Sequence, residues 1–384
     1  MHTGGWGMLS RSNGILADYV KAFDVIVGSG ETKHVVKPSV EEKTSQENDD
    51  LYYAVLGGSN GGSFGVVTQW EFTPLRDADH PNSACYEMYW FKTEDNTRAV
   101  MELMQEYSDK CTKGEIPSDY NFGVTINGTG GMHLLNKPTA EAMIKLEHTT
   151  DSNLMVPALI QVWMLYSNNG GASKEFDDQW FEGFAKKATP LWVTRKKKTP
   201  ISYGMSHMYI FSGEREFENP YVKRDQVTMG LPESFADTFI TQIEKVTGDF
   251  GTSRGIHLMV QLVIFGGGAV LANEADSHSS YSWRGQVAWL CYDAFYDVSK
   301  HESAYQHACD WQEENDKVFI GEDGAFAKKD MRMFAFTFGK RVLEEVWQFY
   351  YDSKDKYDRL RRIKHLVDPD CVFNSDEFAV KPME

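Results

Sequence analysis

The sequence predicts an α+β protein: an antiparallel sheet flanked by helices, joined to a glycine-rich segment of different character. Three observations predict it. Short apolar runs with period-two alternation recur with amphipathic helical stretches from Arg76 onward, without the phosphate-loop chemistry of a βαβ unit. Gly57, Gly58, Gly61, Gly62 and Gly65 fall within nine residues and feed straight into a β-branched, aromatic run, Val66–Phe72. At 384 residues the chain is long enough for two lobes.

Taken in order, Gly4, Gly5 and Gly7 form a turn, and Met8–Asn13 reads as a short helix with Arg11 facing solvent or bound to a neighbouring carbonyl. Phe23–Val27 is a strand, and Gly28–Glu31 turns it into a second, Thr32–Val36. Leu51–Leu56 is apolar enough for a short buried helix or a strand. The glycines after it suit a loop whose amides face a ligand, most simply a phosphate, or a flexible hairpin loop. No Gly-Lys-Ser/Thr follows them, and they open a strand, so neither a Walker loop nor a Rossmann fingerprint fits. Tyr86–Phe91, Asn121–Ile126, Leu159–Tyr166, Ile256–Phe265 and Val287–Tyr296 read as strands. Val100, Leu103, Met104 and Tyr107 have helical spacing, Asp177–Lys187 is helical, and Asp330–Phe338 contains a strand. Near the end, Tyr357, Leu360, Ile363 and Leu366 form a helical stripe that Asp368-Pro369 stops.

Charge and composition exclude several functions. A net charge of -17 argues against nucleic acid or an anionic membrane as partner, because both need basic clusters. The one basic run, Arg195–Lys198, reads as a solvated loop. No apolar stretch approaches the roughly 20 residues of a membrane helix. Five scattered cysteines give no metal pattern and cannot all pair. The first residues lack the charged and apolar regions of a signal peptide, so localisation stays open. Asp293 stands out: it alternates with Trp289, Cys291 and Phe295 on one strand face, where burying a carboxylate costs several kcal/mol unless it is paired. That makes it a functional or a paired structural carboxylate.

Five blocks carry a family resemblance. D-L-Y-Y-A-V-L-G-G-S-N-G-G-S-F-G-V-V-T-Q-W-E-F resembles the "DLFWALRGG-GG-NFGIVT-F-F" block of FAD-linked oxidases with a PCMH-type, vanillyl-alcohol-oxidase-like flavin domain. The segment from His2 to Glu31 resembles their "GG-G-LSR-YGLAADNV" stretch. Phe217–Arg224 and Ser280–Arg284 resemble "REFDLPYVKR" and "SYSWR", and Trp347–Asn374 resembles the C-terminal signature of the berberine-bridge-enzyme-like group, in its fungal branch. The resemblance implies FAD as cofactor, bordered by Gly4, Gly5, Gly7, Gly61, Gly62, Phe64, Gly65, Val67 and Asn374. It implies a small-molecule substrate (an alcohol, sugar or secondary metabolite) and O2 as acceptor. Catalytic roles fall to Asp293, since an aspartate in a similar strand supports a tyrosine base in carbohydrate-oxidising relatives, and to Tyr351.

It also implies an organisation: residues 1–75 as the second part of the flavin domain, 76–330 as the substrate domain, and 331–384 returning to the flavin domain. The first phosphate loop and the flavin-linking histidine of such oxidases would precede residue 1. Where relatives often carry a catalytic tyrosine the chain reads Phe336-Thr337-Phe338, and phenylalanine takes no proton. A truncated or degenerate member that keeps the fold without tight FAD binding is therefore the alternative, with little or no oxidase activity expected of this chain alone.

Overall fold

The computed structural model describes residues 2, 4–39, 43–57, 62–127, 159–170, 175–208, 220–247, 255–299, 301–320, 331–333, 342–374 and 379–383. Gly61 and Phe336–Phe338 lie outside them.

A three-stranded antiparallel sheet has the order β2-β1-β3, from Val20–Ile26 (β1), Thr32–Val36 (β2) and Val66–Phe72 (β3). The Gly28–Glu31 turn closes the first hairpin, with Gly30 at φ +83° and its N–H donating to the Val27 carbonyl at 2.9 Å. The Leu51–Leu56 ambiguity resolves as helix, Gln46–Val55. Ser45 caps it by accepting from the Asn48 N–H, and Glu47 and Asp49 complement the first turn. Its inner face buries Leu51, Tyr52, Ala54 and Val55, with Tyr52 stacked on Phe23 of β1 at 6.0 Å.

The larger sheet has eight antiparallel strands in the order β11-β8-β10-β9-β5-β6-β4-β7. They are Ser83–Phe91 (β4), Tyr120–Asn127 (β5), Leu159–Tyr166 (β6), Trp192–Thr199 (β7), Tyr221–Thr228 (β8), Ile256–Ile264 (β9), Ala288–Tyr296 (β10) and Met331–Met333 (β11). One face is apolar and covered by helices. Tyr86 meets Phe181 of helix Gln179–Lys187, and Phe122 meets Tyr107 of helix Glu94–Thr112. Tyr292 meets Phe239 of helix Phe235–Thr247 and Phe319 of helix Ala304–Ile320. Among the described residues no helix is long and apolar enough to cross a membrane, and all five cysteines are free thiols.

Three expectations need correction. Arg195–Lys198 is part of edge strand β7, not a loop. Long basic side chains suit a sheet edge because their stems lie on the strand while their charges stay in water, and Arg195 and Lys197 reach Glu182 and Asp178. Tyr221–Thr228, which is missing from the strands expected above, is strand β8. In the C-terminal helix Lys354–Val367 the stripe is rotated: Leu366 is 72% exposed, while Lys364 and Val367 are buried. Burial of Lys364 is possible because Asp368 pairs with it at 2.5 Å.

Candidate functional site

Two glycine clusters distant in sequence meet at one tyrosine. Gly4 and Gly5 take φ of +91° and +72°, and their carbonyls accept from Ala17 and Leu16 N–H groups at 2.9 Å. A Cβ on Gly4 would lie 2.5 Å from the Tyr281 ring, and one on Gly57 would lie 2.5 Å from the Tyr281 backbone nitrogen. Glycine is thus required at both because the Ser280–Arg284 segment packs between them. The space beside Gly5 is taken by Leu16, whereas beside Gly7 it is open among the described residues. Arg284 anchors this segment by donating to both Asp18 carboxylate oxygens, at 2.6 and 3.0 Å, in a buried bidentate pair.

The second loop is tied to the C-terminal tail. Gly62, at φ +98°, has open space where its Cβ would be, among the described residues. Phe64 is buried, Gly65 packs against the Ile26 carbonyl, and Val67 pairs with Val25 within the small sheet. The buried Lys364 ammonium donates to the Ser63 carbonyl (2.5 Å), the Phe373 carbonyl (2.8 Å) and Asp368. One cation therefore brings the Gly62 loop beside the segment of Asn374, which is itself exposed and accepts from Lys381. Tyr351 is buried and stacks on Tyr357 at 5.2 Å.

Asp293 lies in other surroundings, on the face of the large sheet opposite the helices. That face carries a row of hydrogen-bonding side chains unlike a core. Strand registers set Asp225, Cys291, Gln261, Thr125, Gln161 and Tyr89 opposite one another across six adjacent strands. Gln161 donates to Tyr89 (2.9 Å) and Glu87 (3.3 Å), and Gln261 donates to Thr125 (3.1 Å). At the other end Lys223 donates to Cys291 Sγ at 3.1 Å and lies 3.3 Å from Asp293 and 3.5 Å from Asp225. Burial pushes Asp225 up to about 6, with Lys223 acting against the shift. Burial opposes the Lys223 charge too, but Cys291, Asp293 and Asp225 together hold its pKa above the ordinary lysine value.

Burial also pushes Glu87 from 4.5 up to about 7, against the hydrogen bonds of Gln161 and Tyr89. Between those values the folded protein binds a proton that the unfolded chain releases, so stability falls as pH rises from 4.5 through 7. Glu87→Gln is expected to stabilise by about 3 kcal/mol above neutrality and by nothing below the ordinary glutamate pKa. Thermal melts at both ends of the range check this.

The turn after Gly5 reaches this face: the Trp6 ring lies 4.0 Å from that of Trp289. The buried Trp289 Nε1 and Gln161 Oε1 have no hydrogen-bond partner among the described residues. Open Cβ positions at Gly7 and Gly62, with buried donors and acceptors left for a ligand, fit a bound dinucleotide and its substrate. Lys223, Asp225, Glu87, Gln161, Thr125 and Gln261 are absent from the sequence-based candidates. The signal that picks out Asp293, one polar residue inside an apolar strand, also marks Glu87 in S-A-C-Y-E-M-Y-W-F and Gln161 in L-I-Q-V-W.

No protein-family model matches the sequence. Xylooligosaccharide oxidase of Thermothelomyces thermophilus is 24% identical over 410 aligned residues, covering 99% of this chain and 66% of the relative. Glucooligosaccharide oxidase of Sarocladium strictum is 19% identical, covering 97% and 65%. The crystal structure of Acremonium strictum glucooligosaccharide oxidase superimposes with a TM-score of 0.68 at 18% identity, over 100% of this chain and 70% of that one. Berberine bridge enzyme from Eschscholzia californica gives 0.67 at 15% identity, over 100% and 70%. The chain thus spans about two thirds of the length of the curated oligosaccharide oxidases it matches.

The relatives are named FAD-linked oxidoreductases and oxidases, and the solved flavoproteins share this fold. The relatives and structure neighbours are FAD-linked oxidases of the berberine-bridge-enzyme-like and glucooligosaccharide oxidase family, and this chain is similar to them over about 70% of their solved structures.

Proposed function

We propose that the protein is an FAD-dependent oxidase that takes hydride from a C–H of a hydroxyl-bearing small molecule, a sugar, alcohol or secondary metabolite, with O2 as final acceptor. The observation that carries this is the polar face of the large sheet: fully buried Thr125, Gln161, Asp225 and Asp293 share one face, whose reverse is for the most part an apolar core. Such a concentration is costly without a polar ligand to meet it. Residues 1–75 and 331–384 would hold the flavin, and 76–330 the substrate. Gly7 and Gly62 offer open backbone to the cofactor, with Gly61, Phe64, Gly65, Val67 and Asn374 along the same loop and tail. Gly4 and Gly5 shape the turn beside it. FAD, when bound, supplies the hydride acceptor. Asp293 directs or accepts the hydroxyl proton of the substrate, and Tyr351 is the candidate phenol.

Titration with FAD is expected to quench tryptophan emission, and the loaded protein is expected to release hydrogen peroxide from a panel of oligosaccharides and alcohols. Asp293→Asn should reduce that release by about 10²–10⁴-fold, the usual worth of a general base. Binding of an oligosaccharide by protein that takes up no FAD would overturn the reading in favour of a non-catalytic sugar-binding protein.

A further inference from the structure

We propose that Lys223 is a positioning residue of this site, whose ammonium keeps Asp293 ionised and thereby sets the acid limit of the reaction. The role of Asp293 in turnover rests on the oxidase reading above; its charge state is argued here from geometry. Strands β8 and β10 pair so that Lys223 stands opposite Asp293 and Asp225 opposite Cys291. All four project from the polar face, and the ammonium lies 3.3 Å from Asp293, 3.5 Å from Asp225 and 3.1 Å from the Cys291 sulfur. The Lys223 side chain is 22% exposed, whereas those of Asp293 and Asp225 are 0% and 1% exposed. The cation thus comes in from the wetter side and meets two carboxylates that have left water altogether. A carboxylate in that position takes up a proton unless a cation stands beside it.

Neighbouring strands set the rest of the electrostatic frame. On β9, Met259 faces Asp293, Gln261 faces Cys291, and His257 stands opposite Phe295. On β11, Arg332 stands opposite Val227, one step along the same face from Asp225. Arg224 and Asp316 pair with each other on the helix side of the sheet. A lysine placed for stability alone would leave the acid limb of kcat/KM in place when removed. A positioning lysine would not.

Infrared spectra and pH profiles distinguish these. Flavin-free Lys223→Met at pH 7 is expected to show a new component of protonated-carboxyl absorption beyond that of wild type, part of which Lys223→Met/Asp293→Asn loses. In FAD-loaded protein the acid limb of kcat/KM should move up by about 1–3 units in Lys223→Met, the usual effect of an adjacent opposite charge. It should stay in place in Lys223→Arg, which keeps the ion pair. Asp225→Asn, which leaves the ammonium to Asp293, should move it down, and this variant tests the idea even if Lys223→Met fails to fold. A Lys223→Met protein with the wild-type infrared spectrum, or an Asp225→Asn limb that does not move, overturns the proposal. If the new band appears as described but wild-type protein releases no peroxide, the charge assignment stands and the oxidase reading falls.

Discussion

Arg11→Met is expected to destabilise the protein by about 3–5 kcal/mol, the range for breaking a buried, fully hydrogen-bonded charge. The Arg11 side chain is 1% exposed and ends on four carbonyls. Nε donates to Gly266 at 3.0 Å, one terminal nitrogen to Pro117 (2.7 Å) and Tyr120 (2.6 Å), and the other to Ile116 (2.7 Å). Removing the guanidinium leaves these oxygens without their donor, and an orphaned buried polar group costs about 1–3 kcal/mol. Burial lowers the Arg11 pKa, but an arginine remains a cation at any pH the fold survives. Lys at this position should recover little, because an ammonium has no planar fork to span separate carbonyls. Urea denaturation measures the effect. A loss below about 1 kcal/mol, the level of an exposed ion pair, would mean that water takes over the four oxygens.

Lys364→Met should cost a similar amount and act on a different part of the molecule. It strands Asp368, which also accepts the Val372 and Phe373 N–H groups at 2.8 and 2.9 Å. It also unties the Ser63 and Phe373 carbonyls. Breaking one partner of a buried pair costs about 3–5 kcal/mol. Burial alone would raise the Asp368 pKa, but Lys364 and the two amides outweigh it and hold it below the ordinary 3.8. A depressed carboxyl contributes stability above its unfolded pKa and loses it as pH falls through the folded value. Acid unfolding of Lys364→Met is therefore expected to begin at a higher pH than in wild type. Faster labelling of the half-buried Cys371 thiol should report release of the tail; unchanged labelling would show that the tail is held by other contacts.

The sequence was most legible where one physical rule acts alone. Apolar, β-branched and aromatic runs and one hairpin turn located β1 to β6, β9 and β10, and Asp368-Pro369 marked the end of the last helix. The family blocks led to FAD. Residues whose roles depend on a distant partner were less legible. The alternatives for Arg11 could be narrowed only once the carbonyls of 116, 117, 120 and 266 stood around it. Lys364 could not be read as buried without Asp368 folded back onto it. The run Arg195–Lys198 read as a loop because its pairing with β4 is a tertiary fact. The polar row was hidden for a related reason. Each strand contributes one or two polar residues, and only the register across six strands shows that they face together.

The reach of Arg11 also bears on the order of assembly. Its carbonyl partners lie 105 to 255 residues away along the chain. A nascent chain that has exposed only its first hundred residues therefore has no acceptor for this guanidinium. Closing so long a loop carries an entropic cost that must be met before the contacts it permits are made. The turn at Gly4–Gly7, followed by Arg11, is thus translated well before its partners and is among the last parts to lock. Until residue 266 has been synthesised, the Nε donor of Arg11 has no acceptor there.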